Sequence, residues 1–388
     1  MMNVTVLHMY PFPIGMAATN RILAYSKGLV NNGCDVNVLC LNPCNSTDIP
    51  RNEVYQGIKY EYNLNPKKSK LRYVHILKFI YSLLISLLKI WERCKNKEID
   101  YLIISTENRF ILRIFSYLCK IYGVKSIFIF DEYPFQLRYC DNIDIVEKVR
   151  IKYNTALKNV SGFISITSFL NKFYNKDLHK PCLIFPTITD ISRFPDKKVN
   201  SINKNICYMG SLDLSKDNVQ LIIDAFDKVN HKYPDLKFHI YGSSSSKDFE
   251  FLKKIIESKH LQRKVILKGE ISFEQVPQIL VDSYMLVSSQ VNTPRIQAGL
   301  STKLGEYLYS GTPVLLSNVG KISNYVQDNF HLFLAEPNNV DDYANKMEFI
   351  INNYDYALKI ANQGRDYINQ NSSHLKMGLK LKLFLKSL

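Results

Sequence analysis

The chain of 388 residues carries 50 Lys and Arg against 35 Asp and Glu, a formal net charge of +15, with 46% hydrophobic and 22% charged residues. That length suits two domains of roughly 190 residues, each large enough to bury its own core, and the composition excludes collagen-like, Gln/Asn-rich and solenoid chains. The excess of positive charge calls for an anionic partner, whether nucleotide, phospholipid surface or nucleic acid.

Eight cysteines, at 34, 40, 44, 94, 119, 140, 182 and 207, form no Cys-x-x-Cys pair, and the eight histidines show no ligand spacing. Reduced structural thiols and no metal are expected. The N-terminus, Met-Met-Asn-Val-Thr-Val-Leu-His, has neither the charged leader nor the apolar core of a signal peptide, so the expectation is a cytoplasmic chain.

Residues 3–9 read as a strand, followed by a helix to about Asn32 with Gly33 at its stop, then a strand over 35–41. This βαβ start argues for a parallel, doubly wound sheet. Gly15, Ala17 and Ala18 leave the backbone open at the first strand's carboxyl end, where such sheets bind ligands, although a plain βα turn explains them equally. Between Lys67 and Lys97 lies a basic apolar stretch interrupted by Lys78 and Lys89, which argues against a membrane span. Two readings compete there: a core helix with basic ends, or a surface helix that leans on an anionic membrane.

The apolar runs 101–105 and 125–130 suit buried parallel strands. Asp131 and Glu132 follow the second of them, at a strand terminus where carboxyl groups could contact an acceptor or a transferring sugar. Residues 162–167 form one more strand, and the polar stretch 196–205 is placed as an interdomain linker. The second half repeats the grammar: strand 206–209, the Gly210-Ser211 turn, helix 218–233 stopped by Pro234, strand 237–241 and Gly242. Two such halves suggest two Rossmann-like domains facing a cleft.

The stretch Ser301 to Asn318 reads as a short helix running directly into a buried strand. Ser301 or Thr302 can cap the helix, Gly311 suits a left-handed stop, and Pro313 prevents continuation. Leu304, Tyr307 and Leu308 share one face, while Lys303 and Glu306, three apart, share another. A helix N-terminus with free amides, hydroxyls and a lysine can cradle a diphosphate, and a carboxylate one turn further in can hold two sugar hydroxyls. On spacing alone, a solvent-exposed helical ion pair between Lys303 and Glu306 is the favoured reading.

Glu-Tyr-Leu-Tyr-Ser-Gly-Thr-Pro-Val, over 306–314, resembles the second half of the donor-site motif of retaining GT-B glycosyltransferases of the family 4 type. The resemblance implies that Glu306 holds the donor's ribose hydroxyls; Ala298 stands where the family has a second glutamate. It also implies that the turn at Gly15 approaches the donor phosphate. Gly-Ser-Leu-Asp-Leu-Ser-Lys resembles the family's Gly-Arg-Leu segment, which makes Lys216 a diphosphate ligand, with Ser211 in place of the arginine. Read without the family, Lys216 is a loop lysine. The segment Gly269-Glu270-Ile271 resembles the loop that meets the nucleotide base near Ile271, and residues 289–300 would face the donor sugar. Leu-Ile-Phe-Pro-Thr-Ile, over 183–188, resembles the segment that closes the family's first domain.

The expectation is therefore a GT-B protein. Residues 1–195 would form an N-terminal acceptor domain, 206–370 a C-terminal donor domain, and 371–388 a helix crossing back to the first domain. The resemblance implies a retaining, metal-independent glycosyltransferase moving a sugar from UDP-sugar or GDP-sugar to a growing, lipid-linked glycan, as in surface polysaccharide synthesis. Its expected donor-binding residues are Gly15, Ser211, Lys216, Gly242, Ile271, Thr302, Lys303, Leu304 and Glu306, with Asp131 and Glu132 as catalytic candidates. No Asp-x-Asp motif is present. No cofactor beyond the sugar nucleotide is expected, and contact with the inner face of an anionic membrane fits the 67–97 stretch. A nucleotide-sugar epimerase and a non-catalytic nucleotide-sugar or glycan binder are the rivals. Nucleic acid is disfavoured because the basic residues lack an aromatic platform.

Overall fold

The computed structural model describes residues 1–42, 49–65, 72–195 and 204–388. Contacts divide the chain into one unit made of Met1–Ile188 with His374–Leu388, and a second made of Thr189–Ser373. The expected linker over 196–205 lies, for 196–203, outside the described residues, as do Lys67, Lys68, Lys70 and Cys44.

The first unit runs β1 (Met2–His8), α1 (Ala17–Asn31), β2 (Cys34–Cys40), β3 (Asn52–Tyr55), β4 (Ile58–Tyr62), α2 (Arg72–Lys95), β5 (Tyr101–Ser105), α3 (Arg109–Ile121), β6 (Lys125–Phe130), α4 (Ile143–Leu157), β7 (Gly162–Ser165), α5 (Ser168–Asn175) and β8 (Cys182–Ile184). Its sheet has the order β3-β4-β2-β1-β5-β6-β7-β8, parallel apart from the β3/β4 hairpin. Runs such as Ser-Ile-Phe-Ile-Phe in β6 are buried throughout, as a sheet covered on both faces requires. Asn108, Asn142 and Thr167 cap α3, α4 and α5 by accepting from backbone N–H groups of the first turn.

The second unit runs β9 (Asn205–Met209), α6 (Val219–Asn230), β10 (Lys237–Tyr241), α7 (Ser246–Ser258), β11 (Val265–Gly269), α8 (Val276–Asp282), β12 (Met285–Ser288), α9 (Pro294–Ala298), α10 (Lys303–Tyr309), β13 (Val314–Ser317), β14 (Phe333–Ala335), α11 (Val340–Asn352) and α12 (Tyr354–Asn371). Every strand pair is parallel, in the order β11-β10-β9-β12-β13-β14. Winding proceeds outward from β9 and then restarts on its other side with β12. The carboxyl ends of β9 and β12 therefore flank a topological switch point, where a doubly wound sheet opens a crevice. Two apolar clusters cover the sheet, one built on Ile206, Phe226, Phe238 and Met347, the other on Leu286, Leu304, Tyr307 and Ile368.

The last helix, α13 (His374–Ser387), belongs to the first unit and packs on α1. The two helices cross glycine on glycine. A Cβ on Gly378 would stand 2.2 Å from the Gly28 carbonyl oxygen, and one on Gly28 would stand 2.3 Å from the His374 oxygen. Only hydrogen fits at that crossing. Gly378→Val should cost about 1–3 kcal/mol by overpacking, read as a lower unfolding midpoint in urea than that of the parent chain.

Candidate functional site

The carboxyl edge of the second sheet gathers most of the residues marked by the sequence. The hydroxyl of Tyr307, on α10, accepts from Met209 N at 2.8 Å and donates to Met209 O at 3.2 Å, which fixes α10 against the end of β9. This clamp carries Lys303 to the switch point. Its Nζ lies 3.0 Å from Asp217 Oδ1 and 3.1 Å from the Tyr208 hydroxyl, and 4.4 Å from the centre of the Tyr208 ring. A Cβ on Gly210 would sit 2.7 Å from that Nζ, so the glycine leaves the amine its place. Gly242 has φ +139°, and a Cβ there would fall 1.7 Å from Gly210 O; no side chain fits.

Burial lowers the pKa of Lys303 while Asp217 pulls it back up and Lys216 pushes it further down, so the two lysines feel one another's charge. Asp217 is fully buried, and its Oδ2 has no hydrogen-bond partner. Lys216 is held in the β9–α6 loop, its N–H donating to Asp213 O at 3.0 Å and its carbonyl accepting from Val291 N at 2.9 Å. Ser211 contributes its carbonyl to the Tyr208 hydroxyl at 2.7 Å. The structure thus brings Lys216, Ser211, Gly242 and Lys303 to one edge.

Lys303 and Glu306 do not pair with each other. Glu306 Oε1 lies 2.6 Å from Arg193 Nη1, and the same guanidinium donates to Phe273 O at 2.5 Å and stacks 3.3 Å from the centre of the Phe273 ring. The Glu306 side chain keeps 27% of its surface exposed, within reach of a ligand. Thr302 occupies the cap position of α10 with helical φ and ψ and makes no side-chain capping bond, contrary to the expected cap. Leu304 is core: its side chain is buried and its N–H donates to Ser301 O at 3.2 Å. Ile271 packs half-buried against the same cluster. Beside α10, a small, mainly apolar pocket is lined by Ile296, Leu300, Leu316 and Val319, with Gln290 and Lys303 among its polar members. The 289–300 segment contains α9, started by Thr293 accepting from Ile296 N with Pro294 in the first turn.

In the first unit, Gly15 lies in the β1–α1 turn, and a Cβ there would meet Thr19 Oγ1 at 2.4 Å. Asp131 and Glu132 follow β6. Burial pushes the Asp131 carboxyl above the ordinary range, with Arg21 opposing and the neighbouring Glu132 adding to it. Glu132 pairs with Arg138 at 2.9 Å. The sequence did not single out His8, which is fully buried, 3.1 Å from Ser105 Oγ and 3.5 Å from Thr19 Oγ1. Burial takes its pKa down to about 3, which leaves a neutral imidazole at the end of β1. Asp217, Tyr208 and Arg193 were missed as well. Their signal is spatial, since Lys303 and Glu306 meet them across 86 and 113 residues of chain. Among the described residues, no group of three or more His, Cys, Asp or Glu is placed to hold a metal.

Residues 192–367, nearly the whole of the second unit, match the family described as Glycosyl transferases group 1. The chain is 32% identical over 151 residues to a poly(ribitol-phosphate) alpha-N-acetylglucosaminyltransferase of Staphylococcus aureus, covering 39% of this chain and 29% of that protein. It spans between 29% and 58% of the length of the curated relatives it matches. Its fold is that of sucrose-phosphate synthase from Thermosynechococcus elongatus, at a TM-score of 0.74 and 12% identity over 100% of this chain and 99% of that one. It is also that of Anabaena HepE, solved in complex with UDP-glucose, at a TM-score of 0.70 and 14% identity over 100% of both chains. The architecture is GT-B.

Because the charge of Lys303 is the form that holds an anion, binding that depends on it should weaken as pH rises through the lowered pKa. Calorimetric titration with inorganic pyrophosphate from neutral to alkaline pH is expected to show falling affinity in the parent chain. Lys303→Met should lose most of the binding at every pH.

Proposed function

We propose that this chain, a GT-B protein whose 192–367 segment is a group 1 glycosyltransferase domain, transfers a sugar from a nucleoside diphosphate donor to a growing glycan, with retention of configuration at the anomeric carbon. The observation that carries this reading is the partly buried Lys303 ammonium at the β9/β12 switch point, beside Lys216 and against the side-chain-free backbone of Gly210 and Gly242. Two cations facing open backbone suit a diphosphate, and they stabilise negative charge as it develops on the departing group.

In this reading Lys303 and Lys216 hold the diphosphate and compensate its charge without a metal ion. Glu306, oriented by Arg193, accepts hydrogen bonds from the two ribose hydroxyls. The backbone near Ile271 meets the base, and Gln290 and the α9 segment border the sugar. The acceptor oxygen attacks the anomeric carbon on the face from which the diphosphate leaves, its proton passing to the departing phosphate oxygen in place of a protein base, and Asp131 and Glu132 steer the acceptor. UDP is the base to try first, supported by the UDP-glucose complex of the structurally similar Anabaena protein. A lipid-linked surface glycan is the acceptor we favour, since the Staphylococcus aureus relative is named for transfer onto poly(ribitol-phosphate).

A thermal-shift series with UDP, GDP, CMP and ADP sugars tests the donor. One nucleoside diphosphate sugar should raise the unfolding midpoint, and Glu306→Ala should weaken its binding by roughly 1.5–3 kcal/mol, the worth of hydrogen bonds to a charged group. Unchanged affinity in that variant would remove Glu306 from the donor site. Release of sugar or transfer to an added glycan separates an enzyme from a binder.

A further inference from the structure

Helix α2 is mounted with its polarity reversed. Its inward side buries Ser82, Ser86, Ile90 and Cys94; Asn63 Nδ2 donates to Ser82 O at 2.8 Å and Ser86 Oγ at 2.6 Å. Lys89 and Arg93 also turn inward, both onto Glu61, the lysine at 2.5 Å. Outward stand Tyr73, Ile76, Leu77, Ile80, Leu84, Leu88 and Trp91, with Leu77 62% and Trp91 41% exposed. Their spacing of three and four makes one continuous stripe on the solvent side.

The stripe continues onto α3. Trp91 Nε1 donates to the Tyr122 hydroxyl at 2.7 Å, which joins the end of α2 to the end of α3, where Tyr117 and Ile121 are also exposed. Along the two helices Glu92 is the sole acid; Lys89 and Arg93 engage Glu61 on the inner side, while Lys95 and the three basic residues of α3 remain outside those pairs. Lys95 lies 5.4 Å over the Trp91 ring. By length and composition the Tyr73–Lys95 segment could cross a membrane. Its ion pairs to Glu61 and its bonds from Asn63 instead tie its inner side to the first unit's sheet, as in a helix lying in an interface.

We propose that the outward face of α2, with the adjoining end of α3, seats in the headgroup region of an anionic phospholipid bilayer. The aliphatic stripe enters the acyl boundary, Tyr73 and Trp91 sit at headgroup level, and Lys95, Arg113 and Lys120 meet lipid phosphates. A second copy of the chain is the poorer occupant, because a two-fold contact would set this basic face against itself. This surface is independent of the donor reading.

Trp91 is the only tryptophan in the chain, so its fluorescence reports on the face directly. With phosphatidylglycerol vesicles at low salt its emission should move to the blue and be quenched by brominated acyl chains. Phosphatidylcholine vesicles should produce neither change. The pair Leu84→Glu and Leu88→Glu, both at exposed positions, should weaken vesicle binding by about tenfold or more with the unfolding midpoint unchanged. Replacing Lys95 and Lys120 by Gln should weaken it about fivefold each. Unshifted emission with phosphatidylglycerol overturns the proposal. So does equal binding to both lipids, or a dimer in the centrifuge that the Leu→Glu pair dissolves.

Discussion

A largely buried ammonium group at the end of a parallel sheet is the interaction around which the second unit's edge is arranged. Burial lowers the pKa of Lys303, and removing a partner from a buried ion pair costs on the order of 3–5 kcal/mol. The Asp217 carboxylate, the Tyr208 hydroxyl and the face of the Tyr208 ring together supply what water would have supplied. The neighbouring features serve that placement: Gly210 has no Cβ to collide with the amine, Gly242 has none to collide with Gly210, and Tyr307 holds α10 to β9 through both backbone groups of Met209. A charge held in advance, with its desolvation already met, loses little when a ligand arrives.

The fold was legible wherever information is local. Apolar runs marked β5, β6 and β13 closely, because a strand buried on both faces has no other use for such a run. The β3/β4 hairpin escaped notice. Its two-residue turn is Gln56-Gly57, both at positive φ, and glutamine is a weaker announcement of that turn than asparagine. In the candidate site, the spacing of Lys303 and Glu306 drew attention to α10 but misdirected their pairing. Lysine three residues before glutamate suggests a surface pair, whereas the sheet edge offers each a distant partner, Asp217 and Arg193, that sequence spacing cannot show. The apolar stretch over α2 left two readings open for a related reason: periodicity gives the existence of two faces but not which one turns inward.

The two sheet edges carry opposite chemistry. That of the second unit concentrates positive charge at Lys303 and Lys216. That of the first holds a neutral His8, hydroxyls from Ser105 and Thr19, and a carboxyl at Asp131 whose ionisation burial resists. Arg21, 7% exposed and with Nη1 unbonded, is the buried cation among them. One edge presents ammonium groups, the other an imidazole, hydroxyls, a carboxyl and one buried guanidinium.

The glycine crossing of α1 and α13 has a consequence for biosynthesis. The helix that completes the first unit is encoded after the whole of the second, so a ribosome delivers Thr189–Ser373 before the α1 surface around Gly28 receives its cover. Domains assemble as units during synthesis. The contiguous second unit can therefore close on itself while the first still waits with an uncovered helix. Emergence of α13, rather than of residue 188, sets the moment when the first unit becomes whole, and until then its open flank is the segment a chaperone would meet.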